Sequence, residues 1–120
     1  MNHVLLGACI PFLPILIVYI LRKGRASVAM LIGAPLAVAA GVLWASAPDV
    51  PRLLGRADLY FRLHSDPRTN IFFWHYTIDQ LENCGALSPE SPGYTVGVVA
   101  IVLCLLLMAW RELHIRENEE

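Results

Sequence analysis

Three long runs of apolar residues divide the chain, and charged or polar segments separate them. The runs cover residues 4–21, 27–46 and 93–110, and none of them contains Asp, Glu, Lys or Arg. A helix rises about 1.5 Å per residue, so about 18 residues span roughly 27 Å, close to the hydrocarbon thickness of a bilayer. The third run has no polar face and must be surrounded by lipid or by other membrane helices. The pattern therefore predicts an all-α integral membrane protein with three transmembrane helices.

The composition agrees with this class of protein. Of the 120 residues, 57% are hydrophobic, and the formal net charge is −1. A soluble domain does not usually concentrate so many apolar residues into runs, and a nearly neutral chain offers no field that would attract nucleic acid. The sequence predicts one membrane domain over residues 1–120, with a folded extramembrane loop at 48–92 and a tail at 111–120.

The basic residues favour one orientation in the membrane. Arg22, Lys23 and Arg25 lie in the short turn between the first two spans. Positive residues in short loops stay preferentially on the cytoplasmic side. The long loop also carries arginines, so the preference depends on the concentration of charge in the turn. The prediction is an outer N-terminus, an extracytoplasmic loop and an inner C-terminus, in a bacterial inner or plasma membrane.

Small residues recur four apart in two of the spans. Gly33, Ala37 and Gly41 share a face of the second span, and Gly93 and Gly97 open the third. Small residues at this spacing let helix backbones approach closely. Such faces pack either the three spans against one another or this chain against another membrane protein.

The loop is rich in aromatic residues, which disordered linkers lack. It holds six of the eleven in the chain, namely Tyr60, Phe61, Phe72, Phe73, Trp74 and Tyr76. Apolar spacing predicts an amphipathic helix over 51–64 and a second short helix over 70–83, with a strand over 71–78 as the alternative. We expect these aromatic residues to bind a partner protein, to lie on lipid or to form a core of the loop itself.

Polar residues of the loop give limited grounds for chemistry. His75, Asp79 and Glu82 would share one helix face, and His with carboxylates binds divalent metals. Polar residues at helical spacing more often mark a solvated face, and this interpretation is preferred here. The sequence therefore predicts no catalytic residue, no metal site and no cofactor.

Absences within the spans argue against several functions. No charged residue or His lies deep within a span. Such groups mark ion pathways, proton relays and haem ligation. The cysteines, Cys9, Cys84 and Cys104, form no CxxC pair and no Cys/His metal spacing.

Three functions remain, in order of preference. The first is a non-catalytic accessory or scaffold subunit that binds other integral membrane subunits through its small-residue faces and aromatic loop. The second is a membrane-bound immunity or inhibitor protein that acts on a toxin or phage component. The third is a small membrane enzyme that uses His, Asp or Glu residues of the loop. The expected partners are membrane proteins and the lipid bilayer, without nucleic acid.

Overall fold

The computed structural model describes residues 2–88 and 92–118. Within these ranges the chain forms helices and turns, and no strand occurs. Residue 1, residues 89–91 in the predicted loop and residues 119–120 in the predicted tail lie outside the described residues.

Three long helices correspond to the three predicted spans. They are α1 (Asn2–Leu21), α2 (Val28–Ala45) and α6 (Pro92–Glu117). Each is long and apolar enough to cross a membrane. The prediction of an all-helical chain with three membrane-length helices is confirmed. The last helix continues beyond the predicted end of the span at Trp110 into a polar segment.

The segment between α2 and α6 contains three short α-helices. These are α3 (Val50–Leu53), α4 (Ala57–His64) and α5 (His75–Asn83), with 3-10 turns at Ala47–Asp49 and Pro67–Ile71. The prediction of one continuous helix over 51–64 is wrong. The chain turns at Gly55, whose φ of +71° interrupts the helix.

A tight turn precedes α5, so this helix begins later in the sequence than predicted. Phe73 and Trp74 have φ values of 53° and 60°, a left-handed conformation that costs energy for residues with a side chain. Asn70 closes the turn by accepting a hydrogen bond from the Thr77 amide at 2.9 Å. The helix predicted over 70–83 therefore begins only at His75, and the alternative strand over 71–78 is wrong.

Helix α1 is the centre of the bundle and packs against both α2 and α6. Ala8 and Phe12 of α1 form the buried core together with Ile101 of α6. Most other large apolar side chains on the three long helices are exposed. An apolar outer surface is what a protein shows when lipid, not water, surrounds its helices.

The closest approach of α1 and α2 depends on two glycines. A Cβ atom built on Gly41 would lie 2.9 Å from Cγ of Pro11 and closer still to the backbone oxygen of Gly7. A Cβ atom on Gly7 would lie 2.8 Å from Cβ of Ala45. Gly33 shares the predicted small-residue face of Gly41, yet a Cβ atom there would meet nothing within 4 Å. This face therefore packs internally at its Gly41 end and is open at its Gly33 end.

The remaining predicted packing residues lie at intermediate or exposed positions. Ala37 is half-buried, and Gly93 is exposed in the first turn of α6. Gly97 faces α1, since a Cβ atom there would lie 2.8 Å from Cδ1 of Leu5.

A buried carboxylate stabilises the end of the bundle where α1 and α2 are joined by their short turn. Glu112 of α6 accepts a hydrogen bond from the backbone amide of Ala26 at 2.9 Å. Its side chain also lies 3.1 Å from Nε of Arg116 and 3.6 Å from Nε of Arg25. These contacts join the basic turn between α1 and α2 to α6.

We expect Gly41→Leu to destabilise the protein by roughly 1–3 kcal/mol, the usual cost of overpacking, because the backbone of Gly7 and the ring of Pro11 leave no room. Gly33→Leu is the matched control, since it adds the same side chain in open space. Thermal unfolding in detergent micelles measures both effects. Equal unfolding temperatures for the two variants would contradict this description of the helix interface.

Candidate metal centre

Five ionisable side chains converge where the start of α1 meets the short helices. They are His3 of α1, Asp49 of the first 3-10 turn, His64 at the end of α4, and His75 and Asp79 of α5. Their ligand atoms form two overlapping sets that share His75, and in each set all atoms lie within 4.8 Å of one another. The folding of the loop onto the bundle therefore builds a site from residues far apart in the sequence.

His75 is at the centre of the cluster and is fully buried. Its Nδ1 atom lies 3.0 Å from the carbonyl oxygen of Ala45, at the end of α2. A carbonyl oxygen can only accept, so Nδ1 carries the proton, and Nε2 of the neutral ring presents a lone pair. Burial, and then the charge of His3, lower the pKa of His75, which keeps the ring neutral at pH 7.

His64 presents the same ring nitrogen to His75. Its Nδ1 atom lies 2.9 Å from the carbonyl oxygen of Tyr60, so this nitrogen also carries a proton. The two Nε2 atoms are 3.1 Å apart. If neither Nε2 atom carried a proton, two lone pairs would oppose each other across this short distance. The contact is favourable only with a proton on one Nε2 atom or with a metal ion bound by both.

Asp79 supplies a third ligand atom at the same point. Its Oδ1 atom lies 2.8 Å from Nε2 of His3, whereas its Oδ2 atom is buried and has no hydrogen-bond partner. Oδ2 lies 3.5 Å from Nε2 of His75 and 3.6 Å from Nε2 of His64. A buried carboxylate oxygen without a donor is costly, and a cation beside it removes that cost.

The three atoms form a triangle of the size that a small cation requires. Its corners are Nε2 of His64, Nε2 of His75 and Oδ2 of Asp79, and its edges measure 3.1, 3.5 and 3.6 Å. Ligands about 2.0–2.1 Å from a tetrahedral zinc ion are about 3.3–3.4 Å apart. We call this arrangement the His–His–Asp triangle.

Asp49 and His3 contact different members of the triangle. Oδ1 of Asp49 lies 3.1 Å from Nε2 of His64, and its side chain is partly exposed. The ring of His3 stacks on His75 with centroids 3.9 Å apart, and its Nε2 atom fixes the orientation of the Asp79 carboxylate. Partners of this kind orient metal ligands in known metal sites.

A polar cavity of about 300 Å³ opens beside the triangle. His64 and Asp79 form part of its wall, and the other lining residues are Tyr60, Phe61, Glu82 and Asn83. The side-chain amide of Asn2 donates a hydrogen bond to Oε1 of Glu82, which gives a second connection between α1 and α5.

The structure changes the interpretation of the polar residues in the loop. The assignment of His75 to a solvated face is wrong, because the folded loop buries this side chain completely. Sequence reasoning did not identify His3, His64 and Asp49 as neighbours of His75. The available signal was the predicted topology, which places His3 and the loop on the same side of the membrane.

Two aromatic residues of the loop pack against the site and the bundle. The ring of Tyr60 lies 3.9 Å from that of His64, and the ring of Phe72 lies 4.9 Å from that of Trp44. Trp44 also donates a hydrogen bond to the carbonyl oxygen of Ile71 at 2.9 Å. These contacts hold the loop against the end of α2.

The other aromatic residues of the loop differ in exposure. Phe61 and Trp74 are 67% and 58% exposed, and Phe73 and Tyr76 are half-buried. Exposed aromatic side chains at a membrane surface are available to lipid or to a partner protein.

Comparison with known proteins does not assign the chain to a family. No family model, no curated protein and no solved structure matches it.

Proposed function

We propose that this protein is a membrane-anchored metalloprotein that holds a divalent transition-metal ion, zinc in preference, at one surface of the membrane. The observation that supports this function is the His–His–Asp triangle. Two imidazole Nε2 atoms and one carboxylate oxygen without a hydrogen-bond donor lie around the same small space, and a metal ion there would bind all three at once.

The chemistry of the ligand atoms supports a divalent transition-metal ion, such as zinc, over Ca²⁺ and Mg²⁺. Imidazole nitrogen with carboxylate oxygen suits Zn²⁺, whereas Ca²⁺ and Mg²⁺ prefer sites made of oxygen alone. The two sets of close ligand atoms among the described residues contain no cysteine. The centre therefore differs from the thiolate sites that select Cu⁺ or iron–sulfur clusters.

A bound ion would also hold the loop against the bundle. The triangle takes its ligands from α4 and α5, and His3 of α1 holds one of these ligands. A metal ion that binds the folded chain but not the unfolded chain stabilises the folded state.

We expect the chelator-stripped protein to bind one zinc ion and to lose this binding on His75→Ala. The affinity should fall by more than about 100-fold, because loss of an outer partner alone usually costs about 10–100-fold. Titration calorimetry in detergent, with elemental analysis of the loaded protein, measures affinity and stoichiometry.

His114→Ala is the matched control for this experiment. His114 is exposed near the end of α6, where it pairs with Glu117 at 3.7 Å, away from the cluster. This variant should bind zinc like the wild type. The same zinc affinity for His75→Ala and His114→Ala, or no zinc binding by the wild type, would contradict the proposed function.

We further propose that the metal centre lies on the extracytoplasmic side. His3 and the basic turn are at opposite ends of α1, and Arg22 and Lys23 are exposed in that turn. Positive residues favour the cytoplasmic side. This orientation agrees with the sequence prediction of an outer N-terminus and loop.

A membrane-impermeant thiol reagent should therefore label Cys84 in intact cells, because this residue is exposed on the loop. Cys104 is half-buried within α6 and serves as the internal control that stays unlabelled. Mass spectrometry of the labelled protein distinguishes the two sites. Labelling of Cys84 only after cell lysis would contradict the orientation.

An accessory or scaffold subunit of a larger membrane complex is a second candidate function. It is supported by an apolar groove of about 560 Å³ between α1, α2 and α6. Its walls include the small residues Ala8 and Ala39 among larger aliphatic side chains. The proposed occupant is a membrane helix of a partner subunit, because small residues permit close helix contact.

Ala39→Phe should block such a helix and remove a stoichiometric partner from the protein purified in mild detergent. Ala40→Phe is the matched control, since Ala40 is exposed and lies outside the groove lining. Affinity purification with mass spectrometry compares the two variants. Equal partner recovery with both variants would remove the support for this candidate.

A further inference from the structure

The His–His–Asp triangle supplies three ligand atoms, and the polar cavity lies beside it. We infer that the metal centre is hydrolytic: a water molecule on the metal ion, directed into this cavity, cleaves uncharged carboxylic esters. This inference rests on the proposed metal centre and gives it a reaction and a class of substrate.

The type of ligand separates open from closed zinc sites. Structural sites are closed by four ligands and are rich in cysteine, whereas catalytic sites have three protein ligands, commonly His alone or two His with a carboxylate, and keep water in the fourth position. The triangle consists of two imidazole nitrogens and one carboxylate oxygen. It therefore has the ligand set of a catalytic centre.

The cavity provides room for a substrate at this fourth position. His64 and Asp79 line it directly, so an ion bound between them borders the open space. Its volume of about 300 Å³ is at the lower end of the range for small-molecule sites. Tyr60 and Phe61 give one wall an aromatic surface on which an acyl chain can lie.

Glu82 is the group in the cavity that can move the proton. It follows Asp79 by three residues on α5, so both side chains lie on the same side of the helix and both line the cavity. Its Oε1 atom is held by the amide of Asn2. A fixed carboxylate beside a metal-bound water can accept the proton of that water.

The reaction then proceeds without an oxidant or reductant. The metal-bound water gives a proton to Glu82, and the resulting hydroxide forms a new bond to the ester carbonyl carbon. The bond between this carbon and the alcohol oxygen breaks, and the leaving alkoxide takes the proton from Glu82. One ester and one water give one carboxylic acid and one alcohol.

The charge of the cavity selects the class of ester. Its described lining contains the carboxylates of Asp79 and Glu82 and neither Lys nor Arg. A bound divalent ion would offset these two negative charges, so the wall has no excess positive charge to hold a phosphate ester and accepts a neutral carboxylic ester. The site lies at the ends of the membrane-length helices, and Phe61 at the cavity is 67% exposed. The substrate is therefore an amphipathic ester that reaches the site from the membrane surface.

The test uses the zinc-loaded full chain in lipid nanodiscs, with p-nitrophenyl butyrate as the ester probe. Hydrolysis should require zinc, and Glu82→Gln should lower kcat by about 100-fold or more, the scale of general base catalysis, while the zinc content stays unchanged. Glu117→Gln is the matched control, because this carboxylate is exposed at the far end of α6. It should hydrolyse the probe at the wild-type rate.

The outcomes distinguish failure of the hydrolytic inference from failure of the proposed metal centre. Bound zinc without ester cleavage, or a Glu82→Gln variant as fast as the wild type, overturns the hydrolytic inference and leaves the metal centre standing. Failure to bind zinc overturns both. Faster cleavage of p-nitrophenyl phosphate than of the carboxylic ester overturns the assigned class of substrate.

A spectroscopic measurement tests the open position independently of activity. In the cobalt-substituted protein, acetohydroxamate should change the visible absorption spectrum because it replaces water on the metal ion. A closed site has no position for this ligand. An unchanged spectrum at saturating acetohydroxamate would therefore overturn the open coordination.

Discussion

The contact between two imidazole rings is the constraint around which the extramembrane part of this protein is organised. The Nε2 atoms of His64 and His75 are 3.1 Å apart, and the carbonyl oxygens of Tyr60 and Ala45 hold the protons on the opposite ring nitrogens. Neither ring can turn away without the loss of its own hydrogen bond. Phe73 and Trp74, just before His75, have a strained left-handed backbone. Strain of this kind persists only where surrounding contacts impose it, so the position of His75 is held by its neighbours. A proton on one Nε2 atom, or a cation bound by both, would relieve the constraint.

The packing of the membrane-length helices positions His3, which contacts Asp79 and His75. Close packing of Gly7 against Gly41 brings α1 and α2 together. His3 of α1 then lies beside His75, whose ring donates a hydrogen bond to the carbonyl oxygen of the last residue of α2. At the other end of the bundle, Glu112 fixes α6 to the turn between α1 and α2. Both contacts would support the proposed metal site, because packing between the elements holds ligand side chains in place.

The membrane-length helices could be predicted from the sequence, because an apolar run of about 18 residues without a charge is the pattern of a helix that crosses a bilayer. The loop could be predicted only in part. Gly55 and the residue pair before His75 bend the chain within segments whose apolar spacing fits longer helices. The relation of His75 to Asp79 follows from helical spacing, whereas the approach of His3 and His64 depends on how the loop folds back on the bundle. Local patterns do not contain that information, so burial of His75 could not be predicted from them.

X-ray absorption at the zinc edge tests the central claim most directly, because it reports the atoms bound to the metal. The zinc-loaded protein should show nitrogen and oxygen ligands at about 2.0–2.2 Å, with outer-shell scattering from two imidazole rings and no sulfur. A sulfur ligand at about 2.3 Å, or a shell of oxygen atoms without imidazole scattering, would contradict the assignment of the metal to His64, His75 and Asp79.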